Sequence, residues 1–161
     1  MEPLLPPHHP NCLGCGDENP ASMGLRLRRD GDRVRGEVTL DRRHEGAPGF
    51  AHGGAVATIL DDALGSVLAL VRVPAVTAKL EVNYRRPAFL GLRFEVEAWV
   101  SSREDRKRRL AGELREGGEP VADAAGLFIQ VEVEHFLQGA RELPETWRRP
   151  ARETGGPELP W

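Results

Sequence analysis

The sequence predicts an α+β fold in which an antiparallel β-sheet curls around one long buried helix. Three observations indicate this. An apolar segment of helical length lies in the middle of the chain, runs of alternating apolar and polar residues follow it, and a Gly-Gly pair separates two of those runs. One long buried helix followed by hairpin-linked strands is typical of an α+β domain.

The elements are predicted in order along the chain. Val34 to Leu40 alternates as a half-buried strand does, and a turn-rich stretch, His44 to Gly54, follows it. The helix covers Ala55 to Val71; it is apolar around most of its circumference, which indicates burial, and Pro74 is expected to end it. Further strands are predicted at Ala78 to Tyr84, Phe94 to Val100, Arg109 to Arg115 and Val121 to Val133, the last two joined by a hairpin at Gly117-Gly118.

In the first strand pattern after the helix, one face is expected to carry Ala78, Leu80, Val82 and Tyr84. The opposite face is expected to carry Thr77, Lys79, Glu81, Asn83 and Arg85.

The length of 161 residues suits one domain with a core. We divide the chain into a Pro-rich N-terminal segment (1–24), the α+β domain (25–138) and an irregular C-terminal tail (139–161). The net charge of -3 provides no general attraction to nucleic acid or to an anionic membrane, so neither is an expected partner. Without an uninterrupted apolar stretch of about 18 residues or an apolar leader, a cytoplasmic location is expected.

The segment from Pro48 to Gly65 carries the features that suggest chemistry. His52, Gly53 and Gly54 form the entry to the helix, where the first N–H groups lack intrahelical partners and can stabilise developing negative charge. A Gly-Gly pair before a helix can also be only a tight turn. Within the helix, Asp61 and Asp62 are costly to bury unless they are paired, solvated or used.

Adjacent helical residues point about 100° apart, so the two carboxylates cannot line one site. One of them is expected to face solvent or to cap a neighbouring loop. Periodicity alone does not decide which.

The segment resembles the HGG-x6-D signature of hotdog-fold thioesterases, in particular the phenylacetyl-CoA thioesterase-like branch that includes the mammalian thioesterase-superfamily proteins. His52-Gly53-Gly54 and Asp61 match that signature, and Asn83-Tyr84-Arg85-Arg86-Pro87 matches the family's next strand. Further matching positions are Thr58, Gly65, Thr77-Ala78, Gly126 to Ile129, and a header formed by Cys12 to Gly16 with Asn19-Pro20.

The resemblance implies an acyl-CoA thioesterase that needs no cofactor beyond the CoA of its substrate. It implies that Asp61 acts as nucleophile or general base and that Gly53 supplies an oxyanion-hole N–H. It implies that His52 shapes or polarises the site, and that Thr77 orients the water or the carboxylate. Gly54, Asn83 and the basic run Arg106, Lys107, Arg108 and Arg109 are expected to bind substrate. Some relatives carry Asn or Gln shortly before the HGG, where this chain has Glu45-Gly46.

Helix geometry favours an oligomer independently of the resemblance. Gly53 and Asp61 are eight positions apart, hence about 12 Å along one helix. A thioester carbonyl needs both groups within about 3 Å, so they must come from different subunits. A homodimer, or a dimer of dimers, is therefore predicted.

Two other functions remain open. A hotdog dehydratase would use a histidine paired with an acid at other positions, and the next histidine after His52 is His135. A non-catalytic acyl-CoA-binding module would lack the acid that Asp61 supplies. The acyl group and the choice between dimer and tetramer cannot be read from the sequence.

Two further clusters have alternative interpretations. The basic run can contact phosphates of CoA or be a solvated hairpin. Cys12 and Cys15 could form half of a zinc site with His8 and His9. Because two adjacent histidines chelate poorly, the favoured interpretation is a glycine-rich turn packed on a sheet edge, and no metal is expected.

Overall fold

In a computed structural model, residues 2–70, 73–132 and 134–137 are described. One helix lies against a six-stranded antiparallel sheet. The strands are β1 (Arg26–Asp30), β2 (Arg33–Thr39), β3 (Ala75–Tyr84), β4 (Arg93–Glu104), β5 (Lys107–Glu116) and β6 (Glu119–Gln130). The helices are a 3-10 turn (Arg42–His44), α1 (Gly53–Leu70) and α2 (Glu134–Leu137).

The order of strands across the sheet is β1-β2-β4-β5-β6-β3, so β3 forms one edge. All pairings are antiparallel, which confirms the predicted α+β sheet wrapped on a helix. The β5–β6 hairpin turns at Gly117 and Gly118, as predicted, with φ of 57° and 84°. Glycine reaches this left-handed region without steric strain.

The core lies between α1 and the concave face of the sheet. Ile59, Leu60, Leu64 and Val67 are fully buried there, with Phe94, Leu110 and Leu114 from the strands. By length and mean hydropathy, 1.4, α1 would also suffice to cross a membrane, a property it shares with core helices of soluble proteins. Burial is not uniform: a stripe at Gly54, Ala57, Thr58, Asp61 and Gly65 stays partly accessible.

A β-bulge in β3 overturns one predicted detail. Strict alternation placed Thr77 opposite to Leu80 and Val82, but the β3–β6 register shifts between Thr77 and Lys79. Thr77 pairs with Phe128, which is buried under α1. Because Ala78 is an additional residue in this ladder, the side chain of Thr77 faces α1 together with Leu80 and Val82.

The N-terminal segment packs on the domain over part of its length. Leu4 forms an isolated bridge with Arg28 of β1, and the Leu5 N–H donates to the Leu27 carbonyl. Cys15 and Met23 are buried. The predicted C-terminal tail (139–161) lies outside the described residues, and the division of the chain into three segments stays a prediction.

Candidate active site

The entry to α1 is organised by His52. Its backbone N–H donates to the His44 carbonyl at 2.7 Å, and its Nδ1 accepts the Gly54 N–H at 2.8 Å. The Gly54 N–H is therefore engaged within the chain. The Gly53 N–H has no hydrogen-bond acceptor within the described residues. Of the two glycines predicted to meet substrate, Gly53 presents the open donor.

Tyr84, at the end of β3, fixes the other side of this entry. Its hydroxyl donates to the Gly53 carbonyl at 2.8 Å, which holds the first turn of α1 against the sheet. A cavity of about 440 Å³ opens here, lined by both residues and by Phe50, Val56 and Arg85 among others. No role had been predicted for Tyr84 beyond its place in the family motif.

Asp61 lies at a second cavity, of about 240 Å³, two turns further along α1. The Thr77 hydroxyl donates to Asp61 Oδ1 at 3.0 Å. The predicted pair Asp61 and Thr77 is therefore brought together, and the bulge at Ala78 is what turns Thr77 toward the helix. Burial raises the pKa of Asp61, and the hydrogen bond from Thr77 lowers it in part.

Asp62 points away from this pair, toward the N-terminal segment. Its Oδ1 lies 2.9 Å from His8 Nδ1 and 3.3 Å from Cys12 Sγ. Burial raises the pKa of Asp62, and the hydrogen bond with His8 opposes this rise. The structure thus answers the question that periodicity left open: Asp61 accepts from Thr77, while Asp62 is directed at the loop that carries His8 and Cys12, and both carboxylates border the same cavity.

Of the four residues considered as zinc ligands in the sequence, His8, Cys12 and Cys15 lie together and His9 does not. His8 Nδ1 lies 3.4 Å from Cys15 Sγ and 4.0 Å from Cys12 Sγ, whereas His9 accepts the Asn11 N–H and is outside this group. The four residues whose ligand atoms converge within 4.8 Å are His8, Cys12, Cys15 and Asp62.

Known proteins share this fold and are similar to this chain over the segment that carries the signature. Residues 48–121 match the family model of the thioesterase superfamily. An inferred esterase of Pseudomonas aeruginosa is 33% identical over 94 residues, covering 56% of this chain and 70% of that protein. The chain belongs to the thioesterase superfamily. The acyl-coenzyme A thioesterase THEM4 of Bos taurus is 36% identical over 92 residues, 56% of this chain and 38% of that relative, and supports the predicted branch.

Solved structures of the thioesterase superfamily agree on the fold. A crystal structure of a thioesterase superfamily protein matches with a TM-score of 0.69 and 33% identity, over 71% of this chain and 58% of that one. The phenylacetic acid degradation protein PaaI of Thermus thermophilus, 24% identical, matches with a TM-score of 0.62 over 68% and 95% of the two chains. The hotdog fold is thereby confirmed. The chain spans about 40% of the length of the THEM4 relatives it matches.

Asn83, predicted to bind substrate, is engaged with a neighbour in this structure. Its Nδ2 donates to Asp123 Oδ1 at 2.9 Å, and Arg85 holds the other oxygen of the same carboxylate. Glu45, at the position where some relatives carry an amide, accepts the Gly49 N–H at 2.8 Å and so stabilises the loop before α1.

The basic run forms the β4–β5 turn and the start of β5. None of its four cationic side chains has an ion pair among the described residues. Arg108 pairs with Phe128, which pairs in turn with Thr77. These three directly opposed residues share the helix side of the sheet, so Arg108 and Thr77 are two strand spacings apart, about 10 Å. The run therefore lies at the same end of the sheet as Asp61.

Proposed function

We propose that this protein hydrolyses the thioester of an acyl- or aryl-coenzyme A, with Asp61 as nucleophile or general base. The observation that carries this is the Asp61 carboxylate itself. It lies at a cavity and accepts from Thr77, whereas the side chains of Thr58, Asp62 and Ser66 on the same helix have hydrogen-bond partners elsewhere. The name of the THEM4 relatives, acyl-coenzyme A thioesterase, supports the same reaction.

The Thr77 hydrogen bond gives the carboxylate a defined orientation. Thr77 donates to Oδ1, which leaves the second oxygen of Asp61 without a side-chain partner among the described residues. That oxygen can attack the thioester carbonyl or take a proton from an attacking water. In the first route the CoA thiolate leaves, an acyl anhydride forms on Asp61, and water then hydrolyses this anhydride to the free acid. In the second route the activated water itself displaces the CoA thiolate, so both routes consume one water and yield CoA and a carboxylic acid.

The carbonyl oxygen needs a donor as charge develops on it, and the Gly53 N–H is the open donor at the mouth of α1. It stands about 12 Å from Asp61 along the helix axis, too far to serve the same carbonyl. The proposed site is therefore assembled from Gly53 of one subunit and Asp61 of another. His52 lies beside that donor and its Nδ1 accepts from Gly54, so the hydrogen of the neutral ring is on Nε2, which can serve as a second donor.

Two surfaces suit the association of two copies. β3 is an edge strand of ten residues that, in the described part of the chain, pairs only with β6, so its outer backbone groups are proposed to accept a second strand. Beside it, α1 presents the partly accessible stripe of Gly54, Ala57, Thr58, Asp61 and Gly65. Antiparallel pairing through these surfaces would place Gly53 of one copy near Asp61 of the other.

The nucleotide end of CoA is assigned to the basic run. Arginine forks match phosphate oxygens, and these four cations lack carboxylate partners among the described residues. Gly54 and Asn83 complete the proposed substrate contacts. Gly54 contributes by letting substrate approach the helix entry closely, since its N–H is already bonded to His52.

The test is release of free thiol from a panel of aliphatic and aromatic acyl-CoAs by the purified protein. Turnover that disappears in Asp61→Asn supports the proposal. Binding of acyl-CoA without thiol release would indicate a non-catalytic module. Loss of water from a 3-hydroxyacyl-CoA, followed by absorbance of the enoyl product, would indicate a dehydratase. Either result overturns the assignment.

A further inference from the structure

Beside the proposed active site, four side chains with metal-binding atoms converge at one point. They are His8, Cys12, Cys15 and Asp62, and one ligand atom from each lies within 4.8 Å of all the others. Three come from the N-terminal segment, and the fourth comes from α1, more than 45 positions away in sequence. We propose that these residues bind one Zn²⁺ ion, which ties the N-terminal segment to α1.

The distances suit a tetrahedral ion. Zinc bonds of about 2.0 to 2.3 Å place neighbouring ligand atoms roughly 3.3 to 3.8 Å apart. His8 Nδ1 lies 3.4 Å from Cys15 Sγ, and Cys12 Sγ lies 3.3 Å from Asp62 Oδ1. His8 Nδ1 lies 2.9 Å from Asp62 Oδ1 and 4.0 Å from Cys12 Sγ. Shifts of less than about 1 Å would complete the geometry.

The histidine is oriented for this task by Ser66. The Ser66 hydroxyl donates to the Asp62 carbonyl at 2.8 Å, so its oxygen accepts from His8 Nε2 at 3.2 Å. With Nε2 carrying a hydrogen, Nδ1 is the nitrogen directed at both sulfurs and at Asp62. A partner that fixes the ring in this way is the usual support of a zinc-bound histidine.

The loop between the cysteines is shaped for thiolates. The His8 N–H donates to Cys15 Sγ at 3.3 Å. Gly14 is required by the close approach of α1, because a Cβ there would lie 2.3 Å from Asp62 Cγ. Gly16 N–H donates to the Cys12 carbonyl at 2.9 Å, which closes the turn.

Asp62 supplies an independent indication of a missing partner. Its side chain is only 9% exposed, and Oδ2 is buried with no hydrogen-bond partner among the residues that the structure describes. A buried carboxylate oxygen that lacks a donor is costly, and a divalent cation would offset that cost. Two thiolates, one imidazole and one carboxylate are a set that selects zinc, and four protein ligands make a closed structural site.

A zinc site at this position replaces the expectation that no metal binds. The favoured interpretation of a simple glycine-rich turn does not account for His8 and Asp62 converging on both sulfurs. The objection that His8 and His9 chelate poorly together does not apply, because Asp62 takes the place of His9. A bound ion would lie next to the proposed active site, since His8 and Asp62 line the same cavity as Asp61 and Thr77.

Metal content tests the proposal directly. Tag-free protein, expressed with added zinc and purified in reductant without chelator, should contain about one zinc per chain by plasma mass spectrometry. The double variant Cys12→Ser/Cys15→Ser should contain at least tenfold less. His9→Gln is the matched control, because it removes a neighbouring histidine outside the cluster, and it should keep its zinc.

Cobalt loading provides a readout that does not depend on a variant folding. Co²⁺ added to the metal-free native protein should give a thiolate-to-cobalt charge-transfer band and the intense visible bands of a tetrahedral ion. The Asp62→Asn protein should bind Co²⁺ at least tenfold more weakly, because it loses the anionic ligand. Native protein that takes up less than a tenth of an equivalent of either metal would overturn the proposal. So would thiol titration showing Cys12 and Cys15 joined as a disulfide in the isolated protein. None of these measurements depends on thioesterase activity.

Discussion

Asp61 and Asp62 are neighbours in sequence but differ in what surrounds each carboxylate. Asp61 accepts one hydrogen bond, from Thr77, and lies at a cavity. Asp62 is directed at His8 and Cys12. Two equivalent-looking acids on one helix therefore have different partners, which follows from the turn of about 100° between adjacent positions, and we propose a separate task for each.

Exchanging each acid for its amide separates the two tasks. Asp61→Asn should lower kcat by about 10²-fold or more, the usual effect of losing a positioned base. It should keep its zinc and its thermal midpoint, since it removes only a partly buried charge. Asp62→Asn should lose metal affinity and have at least tenfold higher kcat than Asp61→Asn. Steady-state thiol release and metal analysis on both proteins check this. A larger loss of kcat in Asp62→Asn would reverse the two assignments.

The oxyanion donor can be tested at Gly53 with a matched pair of variants. Gly53→Pro removes the N–H, and proline is tolerated in the first position of a helix. Gly53→Ala keeps the N–H, and its Cβ would lie no closer than 3.4 Å to Tyr84. We expect kcat to fall by about 10²-fold or more in the proline variant and by less than tenfold in the alanine variant. Equal losses would mean that the N–H is not the donor.

Individual residues of the candidate active site can be predicted from the sequence, whereas the contact between His8 and Asp62 cannot, for a physical reason. Asp61, Gly53 and Thr77 are predicted as site residues because they match a family motif at fixed spacing. The pairing of His8 with Asp62 is missed because it joins an irregular segment to a helix, and no periodicity encodes such a contact. The sequence does contain a pattern typical of zinc ligands, Cys-x-x-Cys with a histidine four positions before it. That pattern supplies three ligands and does not identify Asp62 as the fourth.

Among the elements, β3 contacts both proposed catalytic groups of α1, the helix entry at Gly53 and the carboxylate of Asp61. Tyr84 at its end holds the entry of α1, and Thr77 near its start holds Asp61. The two side chains share a face only because of the additional residue at Ala78. Bulges commonly re-aim a side chain next to a functional site.

Deleting Ala78 tests whether this residue is the additional one in the strand. The deletion places Thr77 two positions before Leu80, so in a regular strand both side chains face α1 and Thr77 can still donate to Asp61. We therefore expect the deletion variant to keep kcat within about tenfold of native, whereas Thr77→Val, which removes the hydroxyl, should lower kcat further. Thermal melting of each protein checks folding, and Thr77→Ser, which retains the hydroxyl, should stay close to native activity. A deletion variant that folds but loses as much kcat as Thr77→Val would show that Ala78 is not the residue that sets the direction of Thr77.

The strands after α1 are predicted well because their alternation is long and regular. β1 is not predicted, since Arg26–Asp30 offers only Leu27 as a buried apolar residue. It forms at the edge of the sheet through its ladder with β2. The bulge is also beyond prediction from alternation, because a single inserted residue reverses the faces of only the three residues before it.

The basic run is the element assigned to the CoA nucleotide. Arg108→Gln/Arg109→Gln should raise KM for acyl-CoA about tenfold but change KM little for the matching acyl-pantetheine, which lacks the nucleotide phosphates. kcat should be nearly unchanged, as expected when uniform binding is lost, and the effect should shrink as salt rises. Arg28→Gln/Arg29→Gln, on the opposite edge strand β1, is the matched control. Equal changes in KM for both substrates would identify the run as a solvated hairpin.

For the whole molecule, the decisive feature is that one chain does not bring Gly53 and Asp61 together. α1 is one continuous helix in the core, and eight helical positions separate the donor from the carboxylate. The free edge of β3 and the accessible stripe of α1 lie on the side where a second copy would bring its own Gly53. Quaternary structure is therefore part of the proposed mechanism.

Mixing two inactive chains tests whether the site is shared. An Asp61→Ala chain and a Gly53→Pro chain should each be inactive alone, because every site in their homodimers lacks one group. A heterodimer has one site with both defects and one site with none, so it should regain about half of the native activity per dimer. The chains should carry different affinity tags, be refolded together and be purified through both tags before thiol release is measured. Mixed dimers that remain inactive would show that each site is built within one subunit, and protein that remains monomeric while active would lead to the same conclusion.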